Sequence, residues 1–167
     1  MCSCGGGGGG GDGFGDLDAD VTRAAEVNVS INPPEIGVGD RTLVRIFIDE
    51  VHRNGVIIKT RYPAEMQYVV ETSRLYVDGD VLNVDPIVRN AVADGKSYTV
   101  YYFDRSTFGS ANTGELRFHL RALSAVTEGT VEVDTDIHDL LKSPSKEFSI
   151  KTPLFSAKDR SNVRVFQ

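Results

Sequence analysis

From Val27 onward the apolar positions recur with a period of two. Val27, Val29 and Ile31 alternate with Asn28, Ser30 and Asn32, the pattern of a strand with one buried and one wet face. Pro33-Pro34 ends it, because proline brings no ladder donor. After a turn at Gly37, Gly39 and Asp40, residues 42–49 predict a second strand with Val44, Ile46 and Ile48 on one face. Residues 56–62 predict a third, which Arg53-Asn54-Gly55 joins to the second, since Asn-Gly supplies the positive φ of a tight hairpin.

Between 65 and 92 the pattern breaks into short candidates at 66–70, 75–77 and 81–84, separated by Asp78-Gly79-Asp80 and Asp85-Pro86. Residues 97–104 carry β-branched or aromatic side chains on both faces, which predicts a central strand. Residues 115–123 alternate cleanly, with Leu116, Phe118, Leu120 and Ala122 inward and Glu115, Arg117, His119 and Arg121 outward. Residues 130–137 do the same, with Val131, Val133, Thr135 and Ile137 inward and Glu132, Asp134 and Asp136 outward. A further strand is expected at 148–151, a single helical turn at 138–142, and a last short edge strand or ordered tail at 163–166. No long window has a 3.6-residue period. Seven to nine short antiparallel strands with Gly, Pro and Asn turns predict an all-β sandwich.

The first 26 residues are of another kind. Met1-Cys2-Ser3-Cys4 precedes seven consecutive glycines, and nine of the 17 glycines fall in residues 1–15. Glycine loses the most backbone entropy on ordering and offers no side chain to bury, so a flexible Gly/Asp-rich tether is expected over 1–26. The organisation read from the chain is therefore tether 1–26, sandwich 27–152 and C-terminal tail or edge strand 153–167.

Charge narrows the function. Eighteen basic against 24 acidic residues give a formal charge of −6 and a pI near 5.0, which argues against a nucleic-acid partner held by phosphate neutralisation. No stretch of about 20 apolar residues is present to span a bilayer as a helix. Cys2 and Cys4 are the only cysteines; two thiols do not fill a tetrahedral zinc site, and lipidation of one of them is the expected use.

Asp12, Asp16, Asp18 and Asp20 suggest a calcium loop, but with Asp16 as position one, position six is Val21 rather than glycine and position twelve is Val27 rather than glutamate. A solvated acidic tether is the expectation. Asp78-Gly79-Asp80 is expected as a turn. His52, His119 and His138 lie apart, without zinc-hydrolase spacing, and are expected at the surface. No nucleophile elbow, P-loop or dinucleotide fingerprint occurs, and Gly5 to Gly11 has no strand-to-helix setting in which to cradle phosphate. Tyr98, Tyr101 and Tyr102 offer sugar-stacking surface, with burial in the core the stronger reading. No catalytic residues and no cofactor are expected.

Two resemblances add to this. Cys2-Ser3-Cys4 with its glycine run resembles the start of a mature bacterial lipoprotein, which implies a lipid on Cys2 or Cys4 and a membrane partner; the sequence encoded upstream of Met1 is the natural check. The stretches Gly39-Asp40-Arg41-Thr42-Leu43-Val44-Arg45-Ile46, Tyr62-Pro63-Ala64-Glu65-Met66-Gln67-Tyr68-Val69, Ser73-Arg74-Leu75 and Gly114-Glu115-Leu116-Arg117-Phe118-His119-Leu120 resemble the immunoglobulin-like repeats of bacterial surface proteins over about residues 27–137, with Tyr62 where that family has leucine and Glu65 where it has glycine. Cohesin-like sandwiches share the early part of the pattern. The resemblance implies an immunoglobulin-like β-sandwich and a structural or adhesive module of the bacterial cell envelope, at the outer membrane or cell surface. Its partner would be protein or polysaccharide. A carbohydrate-binding or calcium-dependent adhesion module, cohesin-like, is the alternative.

If residues 115–123 and 130–137 pair as antiparallel neighbours, Arg117, His119 and Arg121 should face Glu132, Asp134 and Asp136. If they part into different sheets, Asp134 and Asp136 become the carboxylates to test for metal binding.

Overall fold

The computed structural model describes residues 23–144 and 153–167. Cys2, Cys4, the glycine run, Asp12, Asp16, Asp18 and Asp20, and the strand expected at 148–151 lie outside them. Twelve strands are described: β1 (Glu26–Asn32), β2 (Glu35–Gly37), β3 (Arg41–Asp49), β4 (Val56–Pro63), β5 (Met66–Tyr68), β6 (Arg74–Val77), β7 (Asp80–Asn83), β8 (Val88–Ala93), β9 (Lys96–Phe103), β10 (Thr113–Ala122), β11 (Val126–Ile137) and β12 (Asp159–Phe166), with one 3-10 turn at Arg105–Phe108. They form two six-stranded sheets packed face to face. Sheet A runs β1-β3-β10-β6-β7 with β5 also on β10, and sheet B runs β2-β12-β11-β4-β9-β8.

The period-two pattern predicts the core correctly. From sheet A, Val44, Ile46, Ile48, Leu116, Phe118 and Leu120 point inward and are fully buried; Val56, Ile58, Tyr101, Val131 and Val133 meet them from sheet B. A buried polar seam fastens the layers, as the Tyr68 and Tyr101 hydroxyls both bond the Ser73 hydroxyl, at 2.8 and 2.7 Å. Burial raises the Tyr101 phenol well above its ordinary pKa and that of Tyr62, which bonds Thr99, to about 12, so both act as neutral hydroxyls. At one open side the Asp159 carboxylate of β12 accepts the Val29 amide of β1 at 2.7 Å and ties the two sheets together.

The connections differ from expectation in three places. The Asn54-Gly55 turn is present, with Gly55 at φ +90°, but it carries the chain from β3 in one sheet to β4 in the other instead of closing a hairpin. The tight hairpins are β6–β7 and β8–β9, where Asp78-Gly79 and Asp94-Gly95 both take positive φ, the geometry of a primed turn. Residues 163–166, expected as an edge strand or tail, are part of an eight-residue strand that lies between β11 and β2, antiparallel to the first and parallel to the second.

The third difference concerns β10 and β11. Three residues separate them, yet the chain crosses between sheets there, so β10 pairs β3, β5 and β6 while β11 pairs β12 and β4. Arg117, His119 and Arg121 therefore do not face Glu132, Asp134 and Asp136.

Candidate functional site

The two outward faces of the sandwich are chemically opposite. On sheet B, Leu154, Phe155 and Ser156, just before β12, lie over the outer surface, so positions that alternation marks as wet are covered. Glu132 and Asp134 are buried, Asp134 at 2% exposure. Their partners come from β4, whose register sets Arg61 opposite Glu132 and Lys59 opposite Asp134. The Lys59 ammonium, itself 3% exposed, lies 2.8 Å from Asp134 and 2.6 Å from Asp136 and donates to the Leu154 carbonyl. Arg61 binds Glu132 at 2.7 Å, and Phe155 lies over its guanidinium at 4.2 Å. The two carboxylates singled out for metal binding thus hold a lysine, which occupies the place of a cation. Among the described residues, no three His, Cys, Asp or Glu side chains converge as metal ligands.

The tyrosines divide. Tyr101 is core, Tyr98 is buried on the outer side of β9 against Phe155, and the Tyr102 ring meets that of His138 at 4.7 Å. His138 is buried rather than at the surface, while His52 closes the turn before β4 by accepting the Asn54 amide at 3.1 Å. One concavity, of about 950 Å³, lies beside the start of β1 and the end of β11, with Arg23, Glu26, Asp136, Lys142 and Lys158 on its walls. Its charges are mixed, and both of its carboxylates are already held, Asp136 by Lys59 and Glu26 by Arg23.

No described element lies over the outer face of sheet A. There the odd-numbered side chains of β3 and β10 stand in cross-strand rows. Arg41 is opposite Arg121, Leu43 opposite His119, Arg45 opposite Arg117, and Phe47 opposite Glu115. Pairing with β6 extends the third row to Arg74 and the fourth to Tyr76. Five arginines and a histidine thus share these four rows with Glu115, and the next row, Asp49 opposite Thr113 and Glu26, adds two carboxylates at the edge of the face, in a chain whose formal charge is −6. Glu115 is bound to Arg117 at 2.8 and 3.1 Å and lies 3.7 Å from Arg45, which holds its carboxyl below the usual range. Arg117 in turn lies 4.0 Å over the Tyr76 ring. Arg41 and Arg121 form no ion pair among the described residues. His119 has its Nδ1 buried without a partner among them, and desolvation, reinforced by Arg41, lowers its pKa. Phe47 remains 49% exposed in the middle of the sheet.

Sequence reading places Arg117, His119 and Arg121 outward, and Arg45 on the face away from Val44, but it does not bring these residues together with Arg41 and Arg74, and of its two alternatives for 115–123 and 130–137 the crossing between sheets is the one observed. A signal was there: Arg41-x-x-x-Arg45 and Arg117-x-x-x-Arg121 each put two guanidiniums on the wet face of a strand.

No family model matches the chain, and no curated protein matches it in sequence. By fold it is an immunoglobulin-like β-sandwich, similar to solved domains of Gram-positive surface proteins. The N-terminal domain of the Streptococcus gordonii adhesin Sgo0707 superposes with a TM-score of 0.53 at 6% identity, over 84% of this chain and 32% of that one. The T6 backbone pilin of serotype M6 Streptococcus pyogenes superposes with a TM-score of 0.51 at 7% identity, over 85% and 36%. The chain spans about a third of the length of each.

Proposed function

We propose that this protein is a non-enzymatic module of the bacterial cell surface that makes structural or adhesive contacts and is held to the envelope by a lipid on Cys2 or Cys4. The observation that carries the contact role is the division between the two faces: Lys59, Arg61, Glu132 and Asp134 of sheet B are consumed by internal pairing, whereas no described element covers the chemically distinct outer face of sheet A. The likeness in fold to an adhesin domain and a pilin supports the same reading. Its mode of action is that of a rigid sandwich on a glycine-rich tether, which raises the local concentration of the sandwich near its partners without new contacts.

The anchor is tested on protein made from its native gene. It should partition into detergent and carry an acyl mass increment on Cys2 or Cys4, with more than one chain needed for stable retention. Recovery in the aqueous phase with an unmodified N-terminus would end the lipid-anchor part of the proposal. The adhesive part is tested separately, by whether the immobilised sandwich retains whole bacterial envelopes.

A further inference from the structure

We infer that the outer face of sheet A is a binding surface for an acidic polysaccharide, its carboxylates or sulfates seated on the rows Arg41–Arg121 and Arg45–Arg117–Arg74. The inference rests on the surface-module reading and names the partner's chemistry.

Three observations carry it. The first is charge. Like charges directly opposite across strands destabilise a sheet, and here Arg41 meets Arg121 while Arg117 meets both Arg45 and Arg74. The chain keeps this face basic although its formal charge is −6, so the concentration of guanidiniums is local. Glu115 already bridges Arg45 and Arg117, and Arg74 donates to the Glu71 and Ser73 carbonyls, so it is above all the Arg41–Arg121 pair that a bound polyanion would turn from a repulsion into two attractive contacts. The second is residue type. All five cations are arginines, whose planar fork of donors matches a carboxylate or sulfate in a way that a lysine point charge does not.

The third is layout. The face is an open sheet surface rather than a pocket, so it suits an extended chain more than a small ion. Its two arginine rows are four residues apart along the strands, about 13 Å, with Leu43 and His119 between them and Phe47 and Tyr76 just beyond. Widely spaced charges separated by apolar surface fit a polymer with occasional acidic groups and the C–H faces of sugar rings between. A nucleic-acid strand, with a phosphate every 3.4 Å or so of duplex axis, would leave most of its charges unmatched.

The test uses the full 167-residue chain, immobilised, against hyaluronan, whose carboxylates recur only on every second sugar, the same polymer methyl-esterified, a dextran sulfated on occasional sugars and a single-stranded oligonucleotide. Hyaluronan or the sparsely sulfated dextran should bind, with affinity falling at least about tenfold between 50 and 200 mM NaCl, and the esterified polymer should not. Arg41→Thr with Arg121→Thr should weaken binding about tenfold or more while the thermal unfolding midpoint stays at or above the wild-type value, which separates a lost contact from a lost fold; Arg45→Thr, which also gives up its contact with Glu115, should weaken binding similarly while the chain still unfolds cooperatively. Equal binding of the acidic and esterified polymers, wild-type affinity in the variants, or tighter binding of the oligonucleotide would overturn the inference. So would a wild-type chain that binds neither acidic polymer until Asp12, Asp16, Asp18 and Asp20 are changed to asparagine, since that would give the face to the chain's own acidic segment. None of these results touches the lipid anchor, whose test is independent.

Discussion

At the scale of single residues, the least expected finding is a lysine in the place considered for a metal. Lys59 and Asp134 are both almost fully buried, and removing one member of such a pair leaves the other as an uncompensated charge, at a cost of roughly 3–5 kcal/mol. Asp136 stays within 2.6 Å of the ammonium but is half exposed, so it softens the loss only in part. Asp134 also accepts the amides of Thr135 and Ser156, at 2.8 and 3.0 Å, and the second of these fastens covering chain to the sheet. Asp134→Ala should therefore lower unfolding stability by about 3 kcal/mol in urea titration. Lys59→Met combined with Asp134→Leu should recover most of it, because the buried charges go together. A single Asp134→Ala variant as stable as wild type would show that the pair carries no net penalty when broken.

At the scale of elements, alternation in the sequence predicts the strands whose two faces meet different surroundings. β1, β3 and β10 bury one side and wet the other, and each is legible within a residue or two at its ends. The losses come where that contrast fails. β8 has no fully buried position and β2 is three residues long, so neither carries a pattern to read. Glu132 and Asp134 read as wet because a charge on an alternating strand ordinarily is; what covers them arrives from residues beyond the strand, which spacing does not show.

Turn chemistry was legible as chemistry and not as topology. Asn54-Gly55 announces positive φ whether the next strand pairs with the last or crosses to the other sheet. The backbone there is nonetheless tightly constrained: a Cβ on Gly55 would stand 2.7 Å from the Phe103 carbonyl oxygen, in a conformation that L-residues avoid. Gly55→Ala should cost about 2 kcal/mol or more, from left-handed strain and the displaced start of β4, measured as a lowered urea midpoint with unchanged slope. A cost within a few tenths of a kcal/mol would mean that the turn relaxes freely.

At the scale of the whole molecule, the sandwich divides its charge between its faces, and the division has a stability signature. The basic face was hidden from sequence reading because it is assembled from β3, β10 and β6, distant in the chain, and its register appears only once the sheet is ordered β3-β10-β6. Arg41 and Arg121 are both exposed, directly opposite one another and without a carboxylate partner among the described residues. Their repulsion should weigh most at low ionic strength, where the screening length is about 30 Å at 0.01 M salt, and fade as it shrinks below 8 Å above physiological salt. Replacing Arg121 by threonine, which suits a strand, removes that repulsion and breaks no ion pair among the described residues. Arg121→Thr should stabilise the protein by about 0.2–1 kcal/mol in 10 mM buffer, seen as a rise in the unfolding midpoint of roughly 1–4 °C, and the gain should shrink in 300 mM NaCl. Added sulfate, a divalent anion, should raise the wild-type midpoint more than that of the variant at equal ionic strength, since only the wild type presents the paired guanidiniums. A variant less stable than wild type at low salt would mean that Arg121 is held by favourable contacts and that the face carries no strain for an anion to relieve.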